Sequence, residues 1–161
     1  MHSERTGSAT TIDPFEDRWA WKSGAVAGFF ATIAMGIAIT LMDLETLRVA
    51  IAGLYGQEGN VVAGWLAHLI HGTVFGLLFA YVLTDPGLAG ITRWVWKTIL
   101  AGIVYGLVLT VVGAGIIMPI WLNVVGFQTP PSFPNVTTAS LIWHGIYGII
   151  LGAVFTILER R

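Results

Sequence analysis

Residues 61–83, VVAGWLAHLIHGTVFGLLFAYVL, decide the fold, because this long apolar stretch contains no Asp, Glu, Lys or Arg. An α-helix rises about 1.5 Å per residue, so about 20 apolar residues cross the hydrocarbon core of a bilayer. Three further runs have the same character, at about 23–42, 98–121 and 138–158. Together the four runs predict an all-α fold, an integral membrane four-helix bundle.

The composition supports this class of protein. Charged residues make up 11% of the 161 residues, against roughly 25% in soluble domains. The four spans fill residues 20–161, which we expect to form one transmembrane domain after a polar tail, residues 1–19. No room is left for a soluble catalytic module, so we expect no enzyme. The chain has no cysteine, which excludes disulfides and thiolate metal sites, and its net charge of −1 gives no indication of nucleic acid binding.

Basic residues predict the orientation in the membrane. Four spans place both termini on one side, together with the connection between the second and third spans. Apart from Arg48, every basic residue falls on that side, so the positive-inside rule predicts a multi-pass plasma-membrane protein with both termini in the cytoplasm. The basic residues on that side are Arg5, Arg18, Lys22, Arg93, Lys97, Arg160 and Arg161.

Each span also contains two glycines four residues apart, which lie on one helix face and allow another helix to approach closely. We predict that these glycines pack the bundle. They are Gly24 and Gly28, Gly72 and Gly76, Gly102 and Gly106, and Gly148 and Gly152.

Weak similarities between the two halves suggest an internal 2+2 repeat. Trp21-Lys22 begins the first span as Trp96-Lys97 begins the third, and His71-Gly72 in the second span matches His144-Gly145 in the fourth. Such a repeat would consist of two helical hairpins related by an axis along the membrane normal.

Two long connections lie on the outer side. In the first, Leu44, Leu47, Ile51 and Leu54 recur at helical spacing and predict a short amphipathic helix on the membrane surface. The second, residues 118–135, has no charged residue, and its four prolines argue against a continuous helix. We predict that it forms an apolar lid over the outer end of the bundle.

The candidate site is formed by His68, His71 and His144. All three lie in the outer halves of apolar spans, where an ionisable side chain is costly and needs a partner or a function. His68 and His71 are three residues apart and share a helix face. The second and fourth spans run in the same direction, so the three imidazoles could converge beneath the lid.

Three interpretations of the histidines stay open. The first is a b-type haem with His71 and His144 as the axial ligands of the iron, His68 as a supporting donor or as a replacement for His71, and Arg48 near the propionates. In this interpretation Gly72 and Gly145 make room for the macrocycle. The second is a zinc or copper site, with Met118 as a soft ligand for copper. The third is a purely structural role, in which each histidine hydrogen-bonds a carbonyl or hydroxyl group across helices. The available partners are Thr73, Tyr105, Thr110 and Tyr147.

Two blocks of sequence carry a resemblance to a known family. The first is GWLAHLIHG at 64–72 with Phe75-Gly76; the second comprises GAGIIMPIWL at 113–122, VGF at 125–127, PP at 130–131, FPN at 133–135 and HGIYG at 144–148. These blocks resemble small four-span membrane proteins of unknown function that are common in halophilic archaea. Some members are labelled histidine kinases, but this chain has no glycine-rich phosphate loop. The resemblance implies that the histidines and the lid belong to one pattern.

From these observations we expect a non-enzymatic membrane protein with a histidine-lined intramembrane site, an accessory subunit of an electron-transfer assembly that holds haem b. The alternative is a cofactor-free structural or assembly subunit whose glycine faces bind partner helices. In either case the expected partners are the lipid bilayer and other membrane subunits or further copies of the chain.

Overall fold

A computed structural model describes residues 20–160, and its architecture is an all-α four-helix bundle. The helices are α1 (Ala20–Met42), α2 (Val61–Leu83), α3 (Val95–Leu109), α4 (Met118–Val124) and α5 (Thr138–Glu159). A π-helical segment, Thr110–Ile117, joins α3 to α4, so the third long helix runs over Val95–Val124. The four long helices are each long and apolar enough to cross a membrane, which confirms the predicted class of fold. The predicted tail, residues 1–19, and Arg161 lie outside the described residues.

The third long helix extends to Val124, a few residues beyond its predicted run of 98–121. The prediction that residues 118–135 do not form one continuous helix is confirmed, because Met118–Val124 is helical and the chain that follows is not. Pro119 lies in the first turn of α4, where a helix tolerates proline because the N–H that proline lacks would have no partner there. Only the residues after Val125 form the irregular outer connection.

The helices pack in a defined order. α1 lies in close contact with both α2 and α5, and α5 also packs along α3. The backbones of α2 and α3 stay apart, and side chains close the distance between them: Tyr105 stacks on Phe79 with 5.4 Å between ring centroids. The result is a bundle with three tight interfaces and one wider side.

Glycines form the contact in two of the tight interfaces. In the α1–α2 pair, a Cβ added to Gly28 would lie 2.6 Å from the Gly72 carbonyl oxygen, well inside ordinary contact distance. In the α3–α5 pair, a Cβ on Gly106 would overlap the His144 carbonyl, and one on Gly102 would overlap the Gly148 carbonyl. All eight glycines singled out from the sequence meet a neighbouring helix of the same chain in this way.

The same contacts bear on the register of the suggested repeat. In the first hairpin Gly28 packs against the Gly72 carbonyl, and in the second Gly106 packs against the His144 carbonyl. If the two glycine contacts are superimposed, Gly72 corresponds to His144. The sequence match of His71 with His144 is out of register by one residue.

The first outer connection also differs from the prediction. Its central part, Thr46–Ile51, is π-helical, and it packs against the start of α2. Leu47 is fully buried, and its carbonyl occupies the space beside Gly64. The segment is therefore part of the bundle and does not lie on the membrane surface as an amphipathic helix.

The two ends of the bundle differ in charge. At one end Lys22 lies over the Trp21 ring, and Lys97 lies over two tryptophan rings at the start of α3. The Arg160 guanidinium donates to the Arg93 carbonyl over 3.2 Å, which joins the end of α5 to the connection after α2. At the other end, the basic residue is Arg48. Long apolar side chains cover the outside of the helices between these ends, as lipid contact requires, among them Leu41, Val62, Ile70, Val104 and Ile157.

Candidate functional site

A large cavity lies in the half of the bundle next to the connections that follow α1 and α4. It has a volume of about 830 Å³ and is bordered by α1, α2, the third long helix and α5. Residues of both outer connections, including Tyr55 and Phe127, complete its wall. Pockets that bind small organic molecules have volumes of about 300–1,000 Å³ and mostly apolar linings. This cavity matches both properties.

Two tyrosines join other helices to α2 near the middle of the bundle, and one of them, Tyr147, lines the cavity. Tyr147 donates a hydrogen bond of 2.7 Å to the Gly72 carbonyl, and Tyr105 donates one of 2.9 Å to the Phe75 carbonyl. Both bonds end on α2, and the first crosses the interior of the bundle from α5. Below this level, Phe79 and Phe155 fill the core, so the cavity does not continue to the other end.

Both π-helical segments, Thr46–Ile51 and Thr110–Ile117, line the cavity. A π-helical turn leaves the regular ladder of hydrogen bonds and is frequently found at functional sites. Gly113 lies in the second segment, and a Cβ added to it would meet nothing within 4 Å. Hydrophobic periodicity does not distinguish π-helix from α-helix, so neither segment was predicted from the sequence.

His144 is fixed by a hydrogen bond within its own helix. Its Nδ1 lies 2.8 Å from the Ser140 carbonyl oxygen, which can only accept, so Nδ1 carries the proton. In a neutral imidazole, Nε2 then has the free lone pair. Among residues 20–160 no group forms a hydrogen bond with this Nε2. His144 therefore lines the cavity with an unused acceptor.

His71 has a partner from the outer connection. Its Nε2 and the Tyr55 hydroxyl share a hydrogen bond of 2.5 Å, and its ring also lies near Phe75. Tyr55 was not predicted to belong to the site, because its neighbours in the sequence give no sign that the connection folds back towards α2. A ligand bound through Nε2 of His71 would have to displace this hydroxyl.

His68 is the most buried of the three histidines, at 6% exposed. Its ring edge faces α1, where a Cβ added to Gly36 would lie 3.1 Å from Cδ2. The Thr32 carbonyl interacts with the imidazole, but no hydrogen bond of normal geometry reaches the buried Nε2. A buried polar atom without a partner costs roughly 1–3 kcal/mol, so this position needs an explanation.

The structure brings the three histidines to one cavity. His68 lies within electrostatic range of both His71 and His144, although these residues come from different helices. The hydroxyl groups proposed from the sequence as hydrogen-bond partners do not fill that role. Thr73, Tyr105, Thr110 and Tyr147 all donate to backbone carbonyls instead.

The surroundings fit a haem only in part. His144 retains an uncommitted Nε2, whereas Nε2 of His71 meets the Tyr55 hydroxyl and Nε2 of His68 is buried with no surface open to the cavity. Of the three histidines, only His144 therefore offers a free ligand atom. The space beside Gly72, however, is filled by the Thr32 side chain, and Gly145 faces open space without lining the cavity. Gly72 therefore serves helix packing with Thr32, although it also borders the cavity.

The charges around the cavity are also unfavourable for haem. Asp43 and Glu45 contribute to its lining, and haem propionates are anionic. Arg48, the base proposed to meet them, is paired with Glu45 at 2.8 Å. The lining therefore fits haem poorly. For a bare metal ion, residues 20–160 contain no group of three or more His, Asp or Glu side chains close enough to share one.

Comparisons of the chain with family models, curated proteins and solved structures find no match. The sequence and this geometry therefore carry the argument about function.

Proposed function

We propose that this multi-pass membrane protein is a non-enzymatic subunit that binds an apolar organic molecule in its outer cavity, with imidazoles as the polar anchors. The observation that carries the proposal is a cavity of ligand size, lined by three histidines at a depth where an ionisable side chain is costly. The accessory role in electron transfer expected from the sequence is compatible with such a ligand.

Two helical hairpins and one connection enclose the cavity in this proposal. The two hairpins, α1–α2 and α3–α5, form a 2+2 bundle whose glycine interfaces hold the walls in place. The connection after α4 acts as the lid, since Phe127 packs beside Gly53 of the first connection. Both termini lie in the cytoplasm, because the basic residues of the described chain other than Arg48 collect at that end.

The test is to identify what the purified protein carries. The protein is isolated in detergent, extracted with organic solvent, and the extract is analysed by mass spectrometry. Gly113→Leu fills the cavity from a position where the new side chain has space, and Gly145→Leu is the matched control outside the cavity lining. We expect an apolar compound in the wild type and in the control, and at least a tenfold loss in Gly113→Leu.

The same preparation tests the haem interpretation. A Soret band that His144→Leu abolishes would show that haem is the ligand, in spite of the acidic residues at the cavity. If no compound is depleted by Gly113→Leu, the cavity binds nothing and the proposed function is wrong.

A cofactor-free assembly role is a second candidate, and one observation favours it. The most apolar stretch of the third long helix is 22% buried, against 39% in each of the other three. A partner would contact its large side chains, because the glycine faces are occupied within the chain. For a second copy as partner, Val104→Cys should form disulfide-linked dimers in native membranes, whereas Val62→Cys on α2 should not.

A further inference from the structure

The unused nitrogen of His144 limits the kind of ligand the cavity can hold. Its Nδ1 proton is committed to the Ser140 carbonyl, so Nε2 can accept a hydrogen bond but cannot donate one. The Ser140 carbonyl also receives the Thr110 hydroxyl at 3.4 Å, which helps to hold it in place. A ligand that meets Nε2 must therefore present a donor such as a hydroxyl group. A ligand with acceptors alone, such as a quinone or an ether, leaves Nε2 unsatisfied.

The charge of the lining limits the ligand further. Asp43 and Glu45 in the lining are acidic, and the nearby base Arg48 forms an ion pair with Glu45. An anionic head group such as a fatty acid carboxylate would meet like charge there. The remaining polar groups of the lining are hydroxyls, amides, indoles and the three imidazoles. The carboxylates disfavour an anion, and the cost of burying charge at membrane depth disfavours a cation, so a neutral ligand is favoured.

The shape of the ligand follows from the aromatic side chains. Rings surround the cavity on several sides, and flat rings pack best against other rings in offset or edge-to-face arrangements. An aromatic ligand makes such contacts, while a flexible acyl chain does not. The rings are Tyr55, Phe75, Trp121, Phe127, Trp143 and Tyr147.

Resting on the proposed function, we infer that the ligand is a neutral aromatic molecule with a ring hydroxyl, of the phenol or quinol class, and that this hydroxyl donates to Nε2 of His144. The binding involves no covalent step and no electron transfer. Quinols dissolve in membranes, which suits a site in the outer half of a transmembrane bundle.

Three probes test the inference on the full-length protein in detergent, with partition into empty micelles subtracted. They are 2-methyl-1-naphthol, its methyl ether, which lacks the donor, and farnesol, whose hydroxyl is aliphatic. A neutral hydrogen bond contributes about 1 kcal/mol, so the naphthol should bind about fivefold more tightly than its ether. Farnesol should bind more weakly than the naphthol. In His144→Leu the naphthol and the ether should bind equally, whereas Gly145→Leu should keep the fivefold preference.

Two results would overturn the inference. If naphthol and its ether bind equally to the wild type, the ligand needs no hydrogen-bond donor. If farnesol binds as tightly as the naphthol, the ligand needs no aromatic ring. In either case the cavity still binds apolar molecules, so the proposed function stands. If no probe binds and no compound co-purifies, the inference and the proposed function are both wrong. Should His144→Leu not fold, nitrogen NMR of ¹⁵N-histidine in the wild type provides the alternative, since a protonated Nε2 on His144 would contradict the argument.

Discussion

Replacing one glycine of α5 by alanine tests whether close packing of backbones stabilises the bundle. A Cβ at position 152 would lie 2.6 Å from the Thr98 carbonyl oxygen and 2.7 Å from Cα of Ile99. Ordinary contact begins at 3.4 Å, so α5 and α3 would have to separate by about 0.8 Å. Forcing extra volume into a packed interface costs about 1–3 kcal/mol. We therefore expect Gly152→Ala to destabilise the protein in spite of the better helix propensity of alanine.

Gly145→Ala is the matched control, because it makes the same substitution in the interior of the same helix but meets nothing within 4 Å. Alanine gains about 1 kcal/mol over glycine in a helix at either position, so this gain cancels when the two variants are compared. The free energy of unfolding, measured by circular dichroism during titration of detergent micelles with dodecyl sulfate, should be about 1–3 kcal/mol lower for Gly152→Ala. If the two variants have the same free energy of unfolding, α3 and α5 do not approach as closely as described.

Three further perturbations have defined outcomes. Tyr105→Phe removes the hydroxyl that donates to the Phe75 carbonyl, and should lower the free energy of unfolding by about 1 kcal/mol, measured in the same titration. Thr137→Ala removes both the N-cap of α5 and its capping box, and should cost about 1 kcal/mol and speed amide hydrogen exchange in the first turn, whereas unchanged exchange there would count against the cap. The chain has no cysteine, so single cysteines report topology without background: Gln57→Cys should react with an impermeant maleimide in intact cells, and Gly87→Cys only after permeabilisation. The reverse labelling pattern would invert the orientation.

The long helices were predictable from the sequence because one physical requirement dominates them. A segment in lipid must satisfy its backbone internally and be apolar along about 20 residues, and this requirement is visible in composition alone. The described helices begin and end within about three residues of the predicted runs. The packing role of the paired glycines was equally predictable, since residues four positions apart lie on one face of a helix.

The details of the site were less accessible, because they depend on side-chain directions and on how the connections fold back. Nothing in the residues around Tyr55 indicates that its hydroxyl reaches His71, 16 positions further along the chain. Gly72 borders the cavity, but nothing in the sequence indicates that Thr32 of the neighbouring helix packs against it. The third span ends three residues later than predicted, at Val124, because Pro119 lies in a first turn, where a helix tolerates proline.

The separation of the α2 and α3 backbones affects how a molecule could exchange with the interior. Tyr105 and Phe79 bridge this side of the bundle, whereas glycine contacts hold α1 to α2 and α3 to α5. On this side the contact between the two helices is made by side chains and not by closely packed backbones. A solute that diffuses laterally in the bilayer therefore meets one face of the bundle where a small separation of the helices breaks no glycine contact.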